Sequence, residues 1–180
     1  AGFEVLVVDD GSSDGTPQLL PPVPGLVFHR NAKNLGFIGA CNAGAELATG
    51  EFLVFLNNDT TVQPGWLDAL LATFERYPDT GLAGSKLVYP DGRLQEAGGI
   101  IFADGSCWNY GRFESPDDPR YTSVRDADYC SGAAVMLPHC DVNSSAASPP
   151  AKVLRTNWLS VVKPSSPTHT CSCSASHWRS

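Results

Sequence analysis

The sequence predicts an α/β domain on a mostly parallel, doubly wound sheet. Two observations carry that expectation. Short apolar runs ending in turn residues alternate with helix-period segments through residues 1–140. Runs such as "EFLVFLN" are apolar on both sides, as in strands covered on both faces. At 180 residues the chain is the size of one domain with a real core.

The elements follow in order. "FEVLVV" reads as a buried parallel strand. Ser12 or Ser13 can cap a short helix running toward Leu20, which Pro21-Pro22 ends. "LVFHR" is a second strand, and "GFIGACNAGAELA" a helix of small residues stopped by Gly50. "EFLVFLN" is a third strand. Pro64 marks a helix start, after which Trp66, Leu67, Leu70, Leu71 and Phe74 form one core-facing stripe. "LAGSKLVY" is a fourth strand and "PDG" a turn. "GGIIFADGS" reads as a hairpin, residues 114–126 as loop, and "DYCSGAAVML" as a closing strand.

Composition divides the chain near residue 140. Residues 1–140 carry 8 basic and 18 acidic side chains, net −10, whereas 141–180 carry 4 and 1, net +3. No glycine follows Gly132, and serine and proline become dense. Residues 1–140 are therefore expected to form the domain and 141–180 an unstructured tail. The overall charge of −7 argues against a nucleic-acid binder. No apolar run is long enough to span a membrane, and no signal-peptide layout opens the chain. The six scattered cysteines read as reduced thiols of a cytoplasmic protein.

In an open parallel sheet, ligands bind beyond the carboxyl ends of the strands. Two such ends carry acid here: Asp9-Asp10 after "VLVV", and Asn57-Asn58-Asp59 after "FLVFL". Adjacent carboxylates stay charged only beside a cation or hydrogen-bond donors. A divalent metal supplies the first, and a ligand N–H or hydroxyl supplies the second.

"VVDDGSSDGT", "NLGFIGACNAG" and "GEFLVFLNNDT", in that order, resemble the donor-binding half of family 2 glycosyltransferases of the GT-A fold. "PDGRLQEAGG" and "DYCSGAAVML" further resemble the rhamnosyltransferase-like subgroup that builds bacterial cell-surface polysaccharides. The resemblance implies a nucleotide-diphospho-sugar donor, a saccharide or lipid-linked acceptor, and Mg²⁺ or Mn²⁺. It implies nucleotide contacts from Asp9, Asp10, Gly11, Ser12, Lys33, Asn34, Gly36, Asn57 and Asn58, with Asp59 as metal ligand. Asp128, Ser131, Gly132 and Trp108 would border the sugar and acceptor. The reaction implied is an inverting displacement at the inner face of the membrane.

Two departures from the family pattern set further expectations. The family's first, central strand is missing, which leaves a gap inside the sheet. The segment that carries the family's catalytic base has no counterpart after Pro138, so a donor-binding module with little transfer activity is expected. The change near residue 140 reads as a truncated or frame-shifted end. A response-regulator receiver domain competes through its acid pair and Asp59, but no lysine lies between Lys86 and Lys152 to serve its chemistry. A non-catalytic nucleotide-binding or interaction module is the other alternative.

Overall fold

The computed structural model describes residues 2–139 and 153–162, the latter for their backbone alone. The described chain divides into two compact units. One runs to Leu53 and regains Pro138 and His139; the other runs from Val54 to Leu137 and includes residues 153–162.

In the first unit, β1 (Val5–Asp9) pairs in parallel with β2 (Leu26–Arg30), in register from Val5↔Leu26 to Asp9↔Arg30. The short α1 (Thr16–Leu19) lies between them in sequence. Then α2 (Gly36–Leu47) packs on β1 at its one buried residue, Gly44. A Cβ there would lie 3.2 Å from Val8 Cγ2, so the small residue sets the distance of approach. Among the described strands β1 pairs only with β2, and its other edge has no strand.

The larger sheet has the order β3-β10-β5-β11-β4. Here β3 is Phe52–Leu56, β4 Thr61–Val62, β5 Thr80–Val88, β10 Ala134–Pro138 and β11 Val153–Val162. Along the chain between β5 and β10 come β6 (Leu94–Glu96), β7 (Gly99–Ile101), β8 (Cys107–Asn109) and β9 (Arg125–Asp126). The pairing is mixed rather than mostly parallel. β5 and β11 run parallel, but β10 and β6 are antiparallel to β5, as β4 and β9 are to β11. Short turns at "PDG" and "ADGS" can join only antiparallel neighbours, which is why the second half of the domain departs from the doubly wound pattern.

The core of the second unit forms where α3 (Trp66–Arg76) meets β5. The expected stripe holds: Trp66, Leu70 and Thr73 are buried at helical spacing, with Leu67, Leu71 and Phe74 half-buried beside them. Trp66 Nε1 donates to Ser85 Oγ at 2.8 Å, satisfying two polar groups inside the core. Pro64 lies one residue before Gly65, whose left-handed φ of 77° turns the chain into the helix.

Two expectations about the carboxyl-terminal part need correction. The tail from 141 was expected to be unstructured, yet 153–162 form β11; residues 140–152 and 163–180 lie outside the described residues. "VLRTNWLSVV" is rich in β-branched and aromatic residues, which favour an extended, paired segment. The closing strand was expected from Asp128, but β10 begins at Ala134. Residues 128–133 instead serve as a strap, bridging Gly99 to Tyr129.

That bridge is tight. A Cβ on Gly99 would meet the Tyr129 ring at 1.9 Å, a distance no side chain adopts. Gly99→Ala is expected to destabilise the chain by about 1–3 kcal/mol in urea unfolding. Gly2→Ala, with nothing within 4 Å of the new methyl, should leave the midpoint unchanged.

Candidate functional site

The parallel register sets the carboxyl ends of β1 and β2 side by side, Asp9 opposite Arg30. Asp9 is buried at 3% exposure, and its Oδ1 accepts the Ser12 N–H at 2.8 Å. Its Oδ2 lies 3.3 Å from Arg30 Nη1 without a hydrogen bond of its own. The Arg30 guanidinium also donates to the Ser12 carbonyl at 2.9 Å, so arginine and aspartate clasp one turn.

Asp10 reaches across to the loop before α2. It accepts from Asn31 Nδ2 at 2.8 Å, Leu35 N at 2.9 Å and Gly36 N at 2.8 Å. Those last two N–H groups belong to the start of α2, which has no cap from its own Leu35. A carboxylate here satisfies orphan donors and meets the positive end of the helix dipole. Asn34 adds its Oδ1 to Gly36 N at 3.1 Å. Gly11, at φ 82°, lies close enough that a Cβ would sit 3.3 Å from Asn34 N.

Both carboxyls are held below their ordinary range. For Asp9 the main cause is hydrogen bonding from Ser12, aided by Arg30 and opposed by desolvation. For Asp10 it is Asn31, then the Leu35 and Gly36 amides. The donors that the sequence requires for this acid pair are therefore supplied by the chain itself. Asp9, Asp10, Gly11, Asn34 and Gly36 hold two loops together. Lys33, Asn34 and, more partially, Ser12 present side chains to solvent. Sequence reasoning missed Arg30 and Asn31; their signal was a polar pair closing the second strand opposite Asp9.

In the second unit, Asn57, Asn58 and Asp59 follow β3 as a turn. Asn57 N donates to Ala133 O at 2.9 Å, and Thr60 Oγ1 closes the turn onto Asn57 O at 2.6 Å. Asn58 is exposed, and Asn57 and Asp59 are half-buried. Among the described residues no three His, Cys, Asp or Glu side chains gather as a metal site. The local donor set is one carboxylate flanked by carboxamides. It fits a hard divalent ion that takes most of its oxygens from a phosphate ligand and water.

The remaining candidates lie along the 128–132 strap and the β7–β8 hairpin. Asp128 Oδ2 accepts Ile101 N at 2.9 Å, and Asp128 N donates to Gly99 O at 3.1 Å, so this carboxylate fastens the hairpin. Ser131 N donates to Glu96 Oε1 at 2.9 Å, and Gly132 beside it is half-buried. Glu96 is 2% exposed and was not foreseen. The neighbouring Cys130 thiol is pushed up to about 12, by burial first and the Glu96 charge second. Trp108 stands 60% exposed on β8.

The fold is that of GT-A glycosyltransferases. A crystal structure of GalNAc-T7 with UDP, GalNAc and Mn²⁺ superposes with a TM-score of 0.62 at 14% identity, over 90% of this chain and 38% of that one. The family model for glycosyl transferase family 2 matches residues 1–137, and the chain belongs to that family. That membership sets aside the receiver-domain alternative. An O-antigen biosynthesis protein, RfbC, of Myxococcus xanthus is 45% identical over 109 residues, 57% of this chain and 8% of that protein. The N-acetylglucosaminyl-diphospho-decaprenol L-rhamnosyltransferase of Mycobacterium tuberculosis is 34% identical over 102 residues, 50% of this chain and 33% of that enzyme. The matched stretch spans a third or less of these relatives. No helix among the described residues is long and apolar enough to cross a membrane.

The Asp10 clasp makes a pH-dependent prediction. A carboxyl whose folded pKa is depressed stabilises fully above its unfolded value, about 3.9, and loses that stabilisation as pH falls toward the folded value. Protection of the Leu35 and Gly36 amides, relative to their intrinsic exchange at each pH, should be high near neutrality and fall below about pH 4. In Asp10→Ala the same amides should show low protection at every pH, with the acid-dependent loss removed.

Proposed function

We propose that this chain is the donor-binding module of a family 2 glycosyltransferase that uses a nucleotide-diphospho sugar. The observation that carries the reading is the loop pair at the carboxyl ends of β1 and β2. Asp9 and Asp10 fix its backbone, and the exposed Lys33 ammonium and Asn34 amide N–H groups face solvent, where a ligand can meet them. In this reading the nucleoside lies against the Asp9–Ser12 turn, and the Lys33 ammonium faces its phosphates. Asp10, Gly11 and Gly36 act by positioning.

Asp59 would hold a divalent ion, with Asn57 and Asn58 contributing amide oxygens or hydrogen bonds to ribose. Such an ion, when bound, offsets charge on the departing diphosphate. The transfer is an inverting displacement: an acceptor hydroxyl bonds to the anomeric carbon as the bond to the diphosphate breaks. The hydroxyl proton needs a base, and no Asp or Glu follows Asp128 among the described residues. The acceptor is a saccharide or lipid-linked saccharide, as the rhamnosyltransferase relative's name indicates for that enzyme. Nucleotide sugars are cytosolic metabolites, so the module would work on the cytoplasmic side of the membrane.

Calorimetric titration with UDP, dTDP and GDP, with and without Mn²⁺, tests this. One nucleotide should bind, more tightly with metal. Asp59→Ala should abolish the gain from metal, and Lys33→Ala should weaken binding by about tenfold, the scale of one charged hydrogen bond. A folded chain that binds none of the three nucleotides overturns the reading.

A further inference from the structure

The β7–β8 hairpin carries a second candidate site, separate from the acidic turns. Trp108 pairs across the hairpin with Ile100, yet its side chain faces outward. A cleft of about 270 Å³ opens beside it, lined by Ser106, Trp108, Asn109, Arg112 and Tyr129 among others. That is just below the ~300–1,000 Å³ of pockets for drug-sized ligands, which suits a single sugar ring.

Its polar groups are set rather than loose. Tyr129 Oη donates to Asn109 Oδ1 at 2.7 Å, which fixes the carboxamide and leaves its N–H groups as donors. Arg112 is the charged member. Arg112 lies 4.9 Å from the Phe113 ring and has no carboxylate partner among the described residues. Phe113 itself sits at φ 70°, a conformation a bulky residue rarely adopts, held by its N–H to Leu94 O at 2.7 Å.

We propose that this cleft binds one anionic sugar ring of the acceptor glycan. The Trp108 indole packs on the apolar face of the ring, the Asn109 amide donates to a hydroxyl, and the Arg112 guanidinium grips a carboxylate or phosphate on it. A guanidinium fork matches either anion, and an aromatic face beside it covers the C–H side of a pyranose. Assigning the ring to the acceptor rests on the donor-module reading. The binding itself needs no nucleotide, so the two fail separately.

Saturation-transfer NMR on the full chain tests this with methyl β-D-glucuronide, glucose 6-phosphate and methyl β-D-glucoside. At least one anionic sugar should respond while the neutral glucoside does not; which anion responds identifies carboxylate or phosphate as the group. Trp108→Ala should abolish the response, and Arg112→Gln should weaken it by about tenfold. Both side chains are exposed, so both variants should keep the wild-type circular dichroism spectrum and nucleotide titration. The proposal is overturned by silence from all three sugars, by equal responses to charged and neutral ones, or by a response that survives in Trp108→Ala.

Discussion

The first unit depends on a carboxylate facing a helix end. A two-stranded sheet is marginal by itself, and β1 and β2 offer little burial, with Val5 and Val27 largely exposed. What fixes them is Asp10. One side chain joins the end of β1, the residue after β2 and the first amides of α2. Because α2 has no cap from Leu35, and only Asn34 shares the Gly36 amide, the negative charge satisfies the helix and aligns it on the strand at once. The close approach at Gly44 then lets α2 lie against Leu6 and Val8.

The second unit solves a different problem, that of charged groups inside a packed core. Lys86 lies in β5 with 5% exposure and donates its ammonium to Pro116 O at 2.8 Å. Burial lowers its pKa, and the nearby Asp117 pulls the other way. Glu96 is equally enclosed and receives the Ser131 amide. An isolated buried charge is costly unless hydrogen-bonded, so each fixes a loop by that requirement: residues near 116 for the lysine, the 131 turn for the glutamate. The loop near residue 116 and the strap thus gain definition from buried groups that no ligand needs to touch.

Much of this was legible from sequence where the signal was local. The bounds of β2 and α2, the stripe on α3 and the two Asp-Gly turns follow from periodicity and turn chemistry. Misreadings arose where distant partners decide. "DYCSGA" has strand composition, but the bridge from Tyr129 to Gly99 and the Ser131–Glu96 bond bend it away from a ladder. β11 was hidden inside a stretch whose average composition is that of a linker, although its own ten residues are β-prone. The bond from Ile101 N to Asp128 was likewise invisible in sequence, because its partners lie 27 residues apart.

The same distinction bears on the acids as chemistry. Two acidic strand ends favour a metal-and-nucleotide site when each pair lacks partners within the chain. Asp9 and Asp10 have such partners, so their negative charge is explained by loop fastening. What they supply is the shape of the loops that carry Ser12, Lys33 and Asn34. The metal reading then stands on the Asn57–Asp59 turn, where a single carboxylate has no second acid adjoining it in sequence. A lone carboxylate holds a hard divalent ion best when phosphate oxygens complete the shell.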